Sequence, residues 1–307
     1  MADTLRQVFS TVASGVLGRT NRVFPPVWLS LAIGPGGEDL NALVAAAIEA
    51  DAPIDVSSHP ALWGGKLRGS SPVLMCAGNF DFENATSESH ASDLVQANLI
   101  EVLSSIGRER IDFFFLRCRR MTEEYQISGA LQTLDWAKEE GLVGHIGISS
   151  DGPSMATLGF WQFHDAFEVL LVPRNHYDDE SYRTLSPLAR ERRVGIVTSR
   201  PLNWGYGLPF TALPAQWRLT NLTQSFYGLT LVQAVIADLA EDHPVLVGVR
   251  TVEEVRQAIQ APSLKRPEGL SAMLQPFVEL FDDESQWTEL LSSSNALFRD
   301  AAKRRLA

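Results

Sequence analysis

At 307 residues, 45% of them hydrophobic and 21% charged, the chain can bury a large core as one α/β barrel or as two ordinary domains. A net charge of −11 argues against a broad electrostatic grip on nucleic acid or on an anionic membrane. Cys76 and Cys118 form neither a disulfide framework nor a metal-ligand spacing, no apolar run reaches the ~20 residues that span a bilayer, and the N-terminus lacks a secretory pattern; a cytoplasmic address and no bound metal are expected.

The first predicted element covers residues 4–18, TLRQVFSTVASGVLG. Leu5, Val8, Phe9, Val12, Val16 and Leu17 recur at helical spacing, Asp3 or Thr4 can cap the start, and Gly18 can close the end. This amphipathic helix is expected to cover one end of the main domain or to dock a protein partner. From residue 27 the chain alternates. Apolar runs at VWLSLAIG (27–34), PIDVS (53–57), PVLMCAG (72–78), IDFFFLR (111–117), GHIGISS (144–150), FEVLLVPR (167–174), RVGIVTSR (193–200) and VLVGVRT (245–251) read as eight strands. Helical patterns at 93–106, 123–140, 230–242 and 252–259 lie between them. The segment 58–71 is close to the shortest crossover that a parallel pair allows.

This rhythm predicts a (β/α)8 barrel of the TIM type, with residues 1–24 as a helical extension and 25–307 as the barrel. A doubly wound sheet would want a glycine-rich phosphate turn, which AIGPGGEDL matches poorly. Chemistry in such barrels sits at the C-terminal ends of the strands. Candidates at the mouth are therefore Asp55, His59, Cys76, Asn79, Arg117, Arg119, Ser149, Ser150, Arg174, Asn175, His176, Arg200 and Arg250.

The segments ALQTLDWAKEEGLVGHIGISS, FEVLLVPRNHYDD, RRVGIVTSRPLNWG and VLVGVRTVEEVRQAI resemble, in order and spacing, the last four strand regions of the aldo-keto reductases. AIEADAPIDVS and LIEVLSSIGRERIDFFFLR resemble the second strand and the segment that ends in the family's catalytic histidine. The resemblance implies NADPH-dependent carbonyl reduction by a tyrosine helped by a lysine, an aspartate and a histidine. Only the aspartate matches, as Asp55. The tyrosine region reads His59–Pro60, with Trp63 nearby, the lysine position falls on Cys76, and the histidine position falls on Arg117. A phenol with pKa near 10 needs a neighbouring cation to release its proton at neutral pH, so these losses strike at the reduction step. The cofactor contacts are also worn. The family's serine–asparagine pair reads Ser149–Ser150, its glutamine Leu171 and its stacking tyrosine Ser199, while Arg250 and the turn at Leu202 match residues near the phosphates.

Two readings of Arg117 stay open: an internal salt bridge, with Asp55 as partner, or a forked donor for an anionic ligand. Arg117, Arg174, Arg200 and Arg250 all fall at predicted strand ends, and four like charges that converge there would call for an anion. The leading expectation is a non-redox enzyme performing elimination, isomerisation or cyclisation on a small anionic metabolite, with no cofactor. Asp55, His59 and Arg117 would be catalytic. Trp63, Cys76, Arg174, Asn175, His176, Arg200 and Trp204 would line the substrate. The alternatives are an NADP(H)-dependent reductase that holds its cofactor with Ser149, Ser150, Leu202 and Arg250, and a silent scaffold that docks through residues 4–18.

Overall fold

The computed structural model describes residues 15–31, 40–58, 63–69, 72–161, 163–202, 229–266, 268–272, 274–275, 283–292, 299, 302–303 and 306. Eight parallel strands close into a barrel in sequence order: β1 (Val27–Leu31), β2 (Ile54–Asp55), β3 (Leu74–Ala77), β4 (Ile111–Cys118), β5 (Val143–Ser150), β6 (Val169–Pro173), β7 (Gly195–Ser199) and β8 (Val245–Val249). Helices α1 (Leu40–Glu49), α2 (Glu88–Ile106), α3 (Glu124–Glu139), α4 (Ser154–Trp161), α5 (Glu180–Glu191), α6 (Leu231–Leu239) and α7 (Val252–Gln260) surround it, and α8 (Glu284–Leu290) follows. Between β2 and β3 the described residues, 63–69, form turns in place of a helix, as the short crossover requires. No helix among the described residues is long and apolar enough to cross a membrane.

Local chemistry sets the helix ends. Ser87 accepts a bond from the His90 amide to start α2, and Gly107, at φ 66°, closes it in the left-handed conformation. Thr230 and Thr251 cap α6 and α7 in the same way as Ser87. Strand alternation then sorts the apolar residues. Leu29, Ile54, Leu74, Cys76, Phe114, Leu116, Cys118 and Ile148 face the helices and join the main core. Trp28, Met75, Phe113, Phe115, Val169, Leu171, Val197 and Leu246 point inward and fill the barrel as a packed cluster.

The floor of the barrel is closed by the chain entering it. Residues 15–18, expected as the end of a helix, instead form a small hairpin in which Val16 bridges Val23 antiparallel around a 3-10 turn at Gly18–Thr20. Leu17 and Phe24 drop into the interior cluster, where Phe24, Trp28 and Phe113 meet at centroid distances of 5.1–5.8 Å. Burying Leu17 from below needs an extended approach that a helix cannot give. Gly18, at φ 49°, sits so close to Gly195 that a Cβ would lie 1.9 Å from the Gly195 amide nitrogen. The remainder of the expected helix, residues 4–14, lies outside the described residues.

Candidate active site at the barrel mouth

At the C-terminal end of the strands the inward positions change from apolar to polar: Ser30 on β1, Asp55 on β2, Arg117 on β4, Ser149 on β5 and Ser199 on β7. The Asp55 carboxylate is buried. It accepts from Ser30 Oγ at 2.8 Å, from the Ser57 amide at 2.9 Å and from Ser57 Oγ. Ser57 is held in turn because its Oγ accepts from the Ala77 amide at 2.7 Å, so its hydroxyl hydrogen is left for Asp55. Burial pushes the Asp55 carboxyl above its usual range, against the pull of these donors and of the Arg117 charge.

Arg117 does not pair with Asp55. Its Nε donates to Asp151 Oδ2 at 2.9 Å, and Arg200 Nη2 donates to the other oxygen, Oδ1, at 2.7 Å. Ser149 Oγ gives the carboxylate its third bond, the second on Oδ2, at 2.9 Å. Burial alone would raise the Asp151 carboxyl, but the two guanidinium groups and Ser149 outweigh it and hold the group below its usual range. One carboxylate is thus shared by two guanidinium groups, and Asp55 near Arg117 and Asp178 near Arg200 add negative charge around them. The Arg117 guanidinium also lies 4.1 Å from the Phe80 ring, and Arg119 lies 4.5 Å from the same ring. Behind them Glu83, fully buried, accepts from the amides of Arg119 at 2.8 Å and Arg120 at 3.3 Å, fixing the chain just past β4. Arg200 reaches Asp151 from a left-handed backbone, φ 57°, immediately before Pro201, a conformation that costs roughly 1–2 kcal/mol in a non-glycine residue.

Several expected site residues lie elsewhere. Strand parity turns Cys76 toward the helices, its thiol raised by burial, and leaves Ala77 as the inward residue at the end of β3. Arg174 lies over the Tyr182 ring at 4.3 Å and pairs with Asp242 at 2.8 Å, outside the barrel wall. His176 Nε2 stands 3.1 Å from Asp238 of α6 in the same outer layer. Asn175 folds its own turn, accepting from the amides of Tyr177 at 2.9 Å and Asp178 at 2.8 Å. Trp63 is fully buried in the main core, with its ring nitrogen on the Ser58 carbonyl at 3.3 Å. Arg250 is mostly exposed and closes on Glu254 at 3.1 Å. His59 and Trp204 lie outside the described residues. The expectation of four arginines converging on a ligand is thus corrected: each has a carboxylate of the chain beside it, and only Arg117 and Arg200 share one. Asp151, which joins them, was missed, although it directly follows the Ser149–Ser150 pair at a strand end.

Among the described residues, those expected around a nicotinamide do not match a site of the family's kind. Ser149 is inward but bonded to Asp151, and Ser150, opposite Cys118 in register, faces the helices with its Oγ buried and without a partner among the described residues. Leu171 belongs to the apolar interior, and Leu202 packs on the outer core.

No family model and no curated protein matches the sequence. Solved structures do match the fold. MGS-M4, an aldo-keto reductase enzyme from a Medee basin deep-sea metagenome library, aligns at a TM-score of 0.65 and 14% identity over 86% of this chain and 94% of its own. A protein described as a 2,5-diketo-D-gluconic acid reductase B gives 0.67 and 16% over 88% and 93%. PA4992 from Pseudomonas aeruginosa, described as an aldo-keto reductase, gives 0.56 and 19% over 82% and 96%. The chain has the aldo-keto reductase fold.

Proposed function

We propose that this aldo-keto-reductase-type barrel is an enzyme that binds a small anionic substrate at its mouth and moves a proton through Asp55, with no hydride transfer. The observation that carries the reading is the sharing of Asp151 between Arg117 and Arg200. The two guanidinium groups take both oxygens of Asp151, and among the described residues the two terminal nitrogens of Arg117 have no acceptor. A carboxylate or phosphate group fits that edge of a guanidinium already fixed by Asp151 and Phe80.

Asp55 supplies the acid–base chemistry. Its raised pKa brings proton exchange closer to neutrality, and Ser30 and Ser57 hold the carboxylate in one orientation. With the anion on Arg117, a proton next to the substrate's carbonyl or carboxylate passes to Asp55. The electron pair left behind either expels a leaving group or is reprotonated at the neighbouring carbon, which gives elimination or isomerisation. Ala77 at the inward end of β3 offers no ammonium, and a phenol there would keep its proton at neutral pH.

The second reading is an NADPH-dependent reductase, favoured by the fold and by Asp55 in the family's aspartate position. Titration of NADPH, followed by its fluorescence, separates the two. The proton-transfer reading expects no saturation into the high micromolar range, together with a higher melting temperature in succinate or phosphate that Arg117→Ala abolishes. Saturable NADPH binding with carbonyl-dependent oxidation would establish the reductase instead.

A further inference from the structure

We propose that a second site, at the floor of the barrel opposite the mouth, binds a small organic anion with an acidic head and an apolar body through Arg190, Arg193 and His243. A cleft of about 350 Å³ opens there, where the hairpin at Val16–Gly18 meets the turn from α5 into β7 and the turn from α6 into β8. Its size suits a small metabolite, and Val16, Pro26, Ile196 and Pro244 give it an apolar wall.

Charge decides what the cleft takes. Glu241 and Asp242 border it, but each already has an arginine on its outer side, Arg266 (shared with Asp238) on Glu241 and Arg174 on Asp242 at 2.8 Å. The two arginines on the rim are not paired in this way. Arg190 donates only to the Tyr182 hydroxyl, at 3.3 Å, and Arg193 meets no acceptor among the described residues. Two cations that pair with no carboxylate among the described residues, on a chain that is acidic overall, form a local trap for negative charge.

His243 lines the same cleft with its ring held by Tyr182. The Tyr182 hydroxyl already accepts from Arg190, so its single hydrogen goes to His243 Nε2, 3.1 Å away. The ring proton of the neutral imidazole is then on Nδ1. The ring is neutral at physiological pH because burial, with the charges of Arg174 and Arg190, lowers its pKa to about 4. An acidic head between Arg190 and Arg193 thus meets two guanidinium forks beside the neutral His243 ring, with the apolar body against the hairpin. The site shares no residue with the mouth and stands at the other end of the strands.

Calorimetric titrations test the site in full-length Arg117→Ala protein, where the anion donor of the mouth is removed. Octanoate and phenyl phosphate carry the acidic head, and octanol carries the apolar body alone. Saturable binding of either anion without binding of octanol is expected. Adding Arg193→Ala should raise Kd by about tenfold or more, the loss expected of one guanidinium–anion contact, and adding Arg190→Ala should abolish binding. Arg193 is exposed, so its variant reads the site even if the Arg190 change disturbs folding. Absence of anion binding, equal binding of octanol, or binding undiminished by Arg193→Ala would overturn the proposal. Anion binding seen in the unsubstituted protein and absent from Arg117→Ala would overturn it too, since the ligand would then belong to the mouth.

Discussion

Asp151 is the residue on which the mouth turns. Removing it leaves two guanidinium groups, each about a quarter exposed, without the carboxylate that they share. Asp151→Ala should therefore cost about 3 kcal/mol in chemical denaturation, with part of the loss recovered by added phosphate, because a bound anion can replace the lost carboxylate. Asp55 behaves in the opposite way. Its carboxylate is buried at a cost in charge that the surrounding donors do not fully offset, so folding favours the protonated form. Stability from this group is present at low pH and is lost as pH rises through the raised pKa. Asp55→Asn keeps the acceptor oxygen and removes the charge, so it should raise Tm by about 2 °C at pH 7 while abolishing turnover. The sequence shows Asp55 and Arg117 at strand ends but not their partners. A pairing of Arg117 with Asp55 is as plausible on paper as one with Asp151, and the choice depends on side-chain reach across strands. Cys76 shows a second limit. One residue of strand parity separates the mouth from the helix layer, and a boundary read one residue off exchanges Cys76 for Ala77.

Among the elements, the eight strands are legible because buried parallel strands carry apolar residues on both faces, and Phe113, Phe114 and Phe115 leave no other reading. The entering hairpin is not legible. The spacing of Val16 and Leu17 continues a helical pattern, yet tertiary packing overrides it, since Leu17 is worth more inside the barrel than on a helix face. Seating that hairpin depends on two glycines in contact. Gly195→Ala would place a methyl 2.8 Å from the Leu17 side chain and should destabilise by about 2 kcal/mol. Protection of the Leu17 amide from hydrogen exchange, given by its bond to the Arg22 carbonyl at 2.8 Å, should fall at the same time. Unchanged protection would mean that the hairpin is held by other contacts.

For the whole molecule, charge placement gives the response to pH. Burial opposes ionisation of Glu168, but bonds from His145 and Lys138 outweigh it and hold its pKa at about 2. This carboxylate contributes roughly 2–3 kcal/mol, fully present above about pH 4.5 and lost as pH falls toward 2. His243, neutral in the fold down to about pH 4, binds its proton more readily once unfolded and adds to the loss from about pH 6.5 downward. The midpoint of urea unfolding should thus decline steadily below pH 6, and Glu168→Gln should flatten the part of that decline below pH 4.5. The barrel as a whole is readable from the βα rhythm, whereas the occupant of its mouth depends on a few polar side chains whose geometry no pattern encodes.

A calorimetric titration of succinate into the protein and into its Arg117→Ala variant at pH 7, at low ionic strength, tests the mouth most directly. One saturable enthalpic site is expected in the unsubstituted protein, and it should disappear with Arg117. Equal heats from both proteins, or none from either, would contradict it.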